Sequence, residues 1–386
     1  MVQGAEYVNG QYTYRYMQEG NSSGPDLSWK NMSVDGWGVQ LSDKESTAPV
    51  TSKLCTYINN KSVFSMSYMF YYSKATSIDL SSFNTSNVTI MRYMFSKSAA
   101  TTLDLSSFNT SNVTIMRYMF DGSAATTLDL SSFDTSNVID MSGMFSYSKA
   151  PSLNLSNFNT SNVRDMSYMF AGSSASALDL SSFDTSKVTS MSGMFMGAKW
   201  QSLDFSNFDT SKVTDMSSMF RGSTVTTLDL SNFDTSNVTV MNCMFQESAD
   251  TTLDLSNFNT SNVTNMSDMF AGSKATTINL SGFNTSNVTN MGDMFAWNEA
   301  TTLDLSSFDT RNVTDMSSMF KYAKNLKTIY VSGLFNTNAV TSSTDMFYNT
   351  TNLVGGAGTT YNSSYTDKTY ARIDGGTSSP GYFTSK

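Results

Sequence analysis

The chain has 386 residues, a formal net charge of −9 and no histidine, and only 14% of its residues are charged. An acidic chain with no basic run lacks the clustered Lys and Arg that phosphate backbones and anionic bilayers attract, so neither nucleic acid nor membrane is expected as a partner. The missing histidine removes the commonest general base, the usual catalytic triads and most zinc sites, so no enzymatic activity, cofactor or metal site is expected.

Methionine (27) and phenylalanine (26) are abundant while proline is nearly absent (4), the bias of one motif copied many times. The N-terminal stretch, residues 1–52, shows no repeat. It carries Tyr12, Tyr14, Tyr16, Trp29 and Trp37 and reads as an N-terminal cap or small β-rich domain. Its first residues, Met1 to Glu6, have neither a basic n-region nor an apolar h-region, and no run of 18 apolar residues occurs anywhere, so neither a signal sequence nor membrane insertion is expected within these residues. Residues 53–70 form a degenerate first coil ending in Met66, Met69 and Phe70.

From Ile78 to Leu303 the pattern recurs every 25 residues, ten times. The Leu103-Asp104-Leu105 core alternates apolar and polar, the mark of a short strand with one buried face. Phe stands five residues after the first Leu in every copy, from Phe83 to Phe308, and Thr two residues later, from Thr85 to Thr310. Val88, Met91 and Phe95 then fall at i, i+3 and i+7, which predicts a short helical turn. The Asn/Asp-Thr-Ser-Asn segment before it supplies capping and turn chemistry. One coil alone buries too little to offset the ordering of its backbone, so the coils must stack. The expected fold is a repeat solenoid with one short parallel β-strand and one short helical turn per repeat, capped at both ends. The register slips after Leu303, with Ile329 coming 26 residues later, so the solenoid is placed at 53–347 and a C-terminal cap at 348–386. Cys55 and Cys243 lie on well-separated coils and are expected to be free thiols.

The string LDLSSFDTRNVTDMSSMF at 303–320 resembles the BspA-like leucine-rich-repeat surface proteins of bacteria, in particular a 25-residue LDLSxFDTSNVTxMxxMF branch, and the closing segment from Asn325 to Phe383 is similar to that family's C-terminal end. The resemblance implies a right-handed leucine-rich-repeat-like coil on a secreted or cell-surface protein, often an adhesin. The family's Gly-Cys after Met-Phe is replaced here by Ser98, Ser123, Ser148 and Ser173, and no wall-anchoring motif is expected within these residues.

Function is sought where the copies differ. The Asp column (Asp79, Asp104, Asp129 and onward) reads as a solvated strand face, because one carboxylate per coil is far short of the oxygens calcium needs. The Met and Phe columns read as core. The variable positions form a ridge bearing Arg92, Tyr93, Arg117, Tyr118, Tyr147, Lys149, Tyr168, Lys199, Trp200, Arg221, Trp297 and Tyr322. Tyr, Trp and Arg make binding hot spots. The expected function is therefore extracellular adhesion or ligand binding to a host or bacterial surface protein or glycan. The alternative is a passive stalk or a phage or particle appendage, whose variable ridge is drift at positions the fold leaves free. The pattern leaves the oligomeric state unknown.

Overall fold

The computed structural model describes residues 4–18, 35–200 and 202–386, so Trp29 of the N-terminal aromatic set lies outside the described residues. The chain divides into two compact units, Met1–Asp165 with Gly172–Phe183 and Met166–Ala171 with Asp184–Lys386. Both are stretches of parallel β-solenoid.

The first unit begins with an antiparallel set. Strands β1 (Glu6–Asn9) and β2 (Tyr12–Gln18) are joined by a two-residue loop in which Gly10 takes a φ of 57°, as a tight hairpin requires. Alternation along β2 buries Tyr12, Tyr14 and Tyr16, and β3 (Asp35–Leu41) pairs with it so that Tyr16 lies opposite Trp37. The β4–β5 hairpin (Tyr57–Ile58, Lys61–Ser65) turns through Asn59 and Asn60, both at positive φ. β5 also runs parallel to β3, giving the sheet order β1-β2-β3-β5-β4. Ser65, at the end of β5, then bridges Ile90. From there one residue per coil continues the ladder through Ile115 and Asp140 to Asp165. The N-terminal sheet thus templates the first rungs of the solenoid.

The Leu-x-Leu segments form parallel strands in part of each unit. In the first, β6 (Thr102–Leu103) pairs with β7 (Thr127–Leu128). In the second, β8 (Thr252–Asp254) pairs with β9 (Thr277–Asn279), and β10 (Thr302–Leu305) pairs with β11 (Thr328–Val331). The predicted helical turn is not a helix. Met91, Tyr93, Phe95 and Lys97 each donate their N–H to the next coil, to the carbonyls of Ile115, Arg117, Met119 and Asp121, while Met94, Ser96 and Ser98 donate within their own coil to the third residue back. Alternate donors are therefore spent on the neighbouring rung, and no i→i−4 ladder can form. The apolar i, i+3, i+7 spacing arises from two successive β-turns. Among the described residues the only helical pieces are two 3₁₀ turns, Lys368–Tyr370 and Gly376–Ser378.

Side chains complete the coil. Asp79 Oδ1 accepts from the N–H and hydroxyl of Ser81, Asn84 Oδ1 accepts from Ser86 N–H, and Asp140 Oδ1 accepts from Ser142. These Asx turns explain the Asp/Asn-x-Ser rhythm of the sequence. The Thr two residues after each Phe is buried and clips two rungs together. Thr85 donates to the carbonyl of Asn109 and accepts its N–H, both at 2.8 Å. In the second unit Thr260 does the same to Asn284, both at 2.9 Å. Phenylalanines stack along the interior at 5.4–5.9 Å from Phe70 to Phe145 in the first unit, and at 5.4–6.1 Å from Phe170 to Phe347 in the second. Cys55 and Cys243 are free.

The second unit closes on β12 (Thr384–Ser385), which pairs parallel to β11 and covers its open edge, with Lys386 bound to Asp304. The closing loop is organised by Asp374. Burial opposes the charge on its carboxylate, but hydrogen bonds from the Thr359 hydroxyl and from the N–H groups of Thr359, Gly376 and Ala357 bring its pKa down to about 2.

Two outcomes test this account. Thr260→Val removes both hydrogen bonds to the Asn284 peptide groups, so it should destabilise the chain by about 1–3 kcal/mol in urea melts, at ~0.5–1.5 kcal/mol per hydrogen bond. Ser261→Ala, at a half-buried turn position of the same coil, should stay within about 0.5 kcal/mol. Asp374 is depressed below its unfolded value near 4, so its contribution is present above that pH and lost as pH falls toward about 2. The urea midpoint should therefore drop less between pH 5 and pH 3 in Asp374→Asn than in the parent chain.

Candidate functional site

The β-turns that replace the predicted helix place two residues per coil in the left-handed region. The first column holds Tyr68, Tyr93, Tyr118 and Gly143 in the first unit, and Tyr168, Gly193, Ser218, Cys243, Asp268, Asp293, Ser318 and Asp345 in the second. Four residues further on in each coil stand Tyr72, Lys97, Gly122, Tyr147 and Gly172 in the first unit, and Gly197, Gly222, Glu247, Gly272, Trp297, Tyr322 and Asn349 in the second. Glycine occupies this conformation freely, whereas an aromatic residue there costs about 1 kcal/mol or more. Tyr93, Tyr118, Tyr147, Tyr168, Trp297 and Tyr322 of the predicted ridge all sit in these columns.

In the first unit the tyrosines form a ladder. Tyr68, Tyr93 and Tyr118 stack ring on ring at 4.9 Å per step, within 8° of parallel. The ladder ends on Gly143, where an added Cβ would meet the Tyr118 ring at 2.1 Å. Tyr147 lies over Gly172 in the same way, and in the second unit Tyr168 lies over Gly193. The Arg92 guanidinium sits 5.4 Å from the Tyr93 ring centre and 5.8 Å from that of Tyr68, and Arg117 sits 5.4 Å from Tyr118. Burial works against the Arg117 charge, but the Asp140 carboxylate and the Tyr93 ring hydroxyl more than offset it and hold the pKa above its ordinary value. Lys97 donates to the Tyr72 hydroxyl at 2.7 Å, which raises its own pKa, and Lys44 donates to the Tyr68 carbonyl. Four cationic side chains thus gather on an acidic protein. In the second unit Trp297 and Tyr322 stack at 5.2 Å, Tyr348 meets Tyr322 edge-on, and Lys321 lies 5.5 Å from the Tyr348 ring while paired with Asp345. Trp297 and Tyr147 are each 52% exposed.

Lys149, Lys199 and Arg221 are exposed, as expected of the ridge, and none of the cation–ring contacts among the described residues involves them. Trp200 is a correction. It is buried at 1% exposure, edge-on to Phe170 and Phe195, in the column that other coils fill with Ala. Sequence reading placed it in a loop, but that loop position turns inward. Tyr68, Lys97, Lys44 and Tyr348 belong to the cationic-aromatic clusters and were missed. Glycine at the same register, as at Gly143, Gly122 and Gly272, was the signal that marks these columns. The Asp column is also more than a solvated face, since the Ser two residues on hydrogen-bonds the carboxylate and lowers its pKa at Asp79, Asp129 and Asp229. Among the described residues no three His, Cys, Asp or Glu side chains converge to hold a metal ion. No helix there is long and apolar enough to cross a membrane.

A stacked-coil solenoid with two decorated turn columns is a repeat protein of the β-solenoid class. The family model described as "Mycoplasma protein of unknown function, DUF285" matches in overlapping segments that together span residues 45–360, and the chain belongs to that family. A crystal structure of a leucine rich cell surface protein from Faecalibacterium prausnitzii A2-165 is similar over 90% of this chain and 93% of that chain, at 12% identity and a TM-score of 0.30. None of the curated proteins matches significantly.

The seat under Tyr118 is testable. Gly143→Ala should cost more than the ~1 kcal/mol expected for Ala at positive φ, because the new methyl displaces the ring. In a Tyr118→Gly background only that backbone cost should remain, which a double-mutant cycle of urea melts measures.

Proposed function

We propose that the chain is a binding module of a secreted or cell-surface protein, and that its cationic-aromatic turn columns take an anionic partner, either a sulfated or sialylated glycan or an acidic protein strip. The observation that carries this reading is the choice of residue at the left-handed positions. Glycine fits them without strain and fills several, yet other coils place Tyr, Trp and Lys there at a backbone cost. The faces of the Tyr68, Tyr93 and Tyr118 rings are largely taken up by one another, so a ligand meets their edges and the flanking guanidinium groups. Recognition then runs through charge-assisted hydrogen bonds rather than sugar stacking. The half-exposed Trp297 offers an additional apolar contact in the second unit. The surface location follows the repeat's resemblance to the 25-residue BspA-like branch.

One observation favours the stalk reading instead. The same ring-on-ring stacking that covers the tyrosine faces also zips neighbouring coils together, a purely structural use.

Retention on immobilised heparin separates the two. The parent chain should be held at low salt and released as salt rises. The triple variant Arg92→Ser, Lys97→Ser, Arg117→Ser should pass through, with its melting temperature within a few degrees of the parent. Undiminished retention of that variant, and of one also carrying Trp297→Ser, would make the ridge the tolerant face of a stalk.

A further inference from the structure

In most coils the residue that leads from the return loop into the next strand is a small apolar one, as at Ala100, Ala275 and Ala300, and it is buried. Asp250 occupies that place in the second unit. Its side chain is fully buried at 0% exposure, and neither carboxylate oxygen makes a well-formed hydrogen bond; the Ser248 hydroxyl and the Asp250 N–H lie near enough only to favour the charge weakly against the dominant cost of burial. A buried ionised carboxylate without partners is among the costliest groups a fold can hold, and it responds by keeping its proton. The backbone beside it is loose on one side. Thr251 N–H reaches the Thr226 carbonyl of the preceding coil at 3.4 Å, whereas the equivalent bond one coil on, Thr276 to Thr251, is 3.0 Å.

We infer that Asp250 is a proton-binding site that weakens the second unit at neutral pH and tightens it on acidification.

Among the described residues no counter-charge acts on it. The facing stretch of the preceding coil, residues 223–226, is uncharged. On the following coil Lys274 is exposed and paired with Glu299 at 2.6 Å, and on the same coil Glu247 points to solvent. The Ser248 hydroxyl lies 3.3 Å from that of Ser273 and offsets only part of the burial, which pushes the carboxyl up to about 6. The sign follows. The folded-state value lies above the unfolded one near 4, so the destabilisation is complete above about pH 6 and fades as pH falls through 6 toward 4, where both states are protonated. This is opposite in direction to Asp374.

The test is urea unfolding of the full chain at pH 7 and pH 5, comparing the parent with Asp250→Ala, the residue other coils use, and with Asp250→Asn, a neutral side chain of the same shape. Other carboxylates contribute equally to all three chains and cancel in the difference. Relative to Asp250→Ala, the parent's folding equilibrium should strengthen about tenfold from pH 7 to pH 5, the factor for moving one unit below a folded-state pKa of about 6. Asp250→Asn should show the same flat difference against Asp250→Ala. Parallel pH dependence of the parent and both variants would overturn the proposal.

Discussion

Everything in this molecule depends on how one segment divides its backbone donors. Along Tyr93–Ser98 the N–H groups alternate, one into the neighbouring coil and the next into its own turn. A helix would keep all of them local. By sending every second one across, the chain makes each coil incomplete without the coil beside it, which is the physical content of solenoid cooperativity. The Thr clips reinforce the arrangement from a second corner, because a single buried hydroxyl pairs with both polar groups of one peptide position in the next rung. Stacked Phe columns then fill the interior of each unit with contacts that recur at every step.

The same division sets where side chains can vary. A β-turn whose donors alternate in this way needs two residues per coil at positive φ, and these side chains project from the turn rather than into the core. The ridge is therefore a by-product of the stacking geometry before it is a binding surface. What turns it into a candidate site is its chemistry: Arg92, Lys97 and Arg117 with a tyrosine ladder in one unit, and Trp297, Tyr322 and Lys321 in the other.

The inward face of the loop carries the opposite lesson. It accepts Ala in most coils, a whole indole at Trp200, and a carboxylate at Asp250. Trp200 also leaves its Nε1 without a partner, so two of the unpaired buried polar groups stand in one column, two coils apart. Repetition makes such departures legible, since each coil reports what its neighbours do at the same position.

Much was available from the sequence alone. The repeat register, the buried Phe and Met columns, the recurring Thr and the free cysteines follow from periodicity, because burial imposes a fixed spacing on apolar residues whatever the backbone does between them. Periodicity does not say where an N–H goes. The spacing of Val88, Met91 and Phe95 fits a helix and a pair of β-turns equally well, and the choice is made by carbonyls one full coil away. The left-handed columns, the tyrosine ladder on Gly143 and the burial of Trp200 are decided at that same distance. They depend on which residues the stacking brings face to face, and only the folded chain sets that.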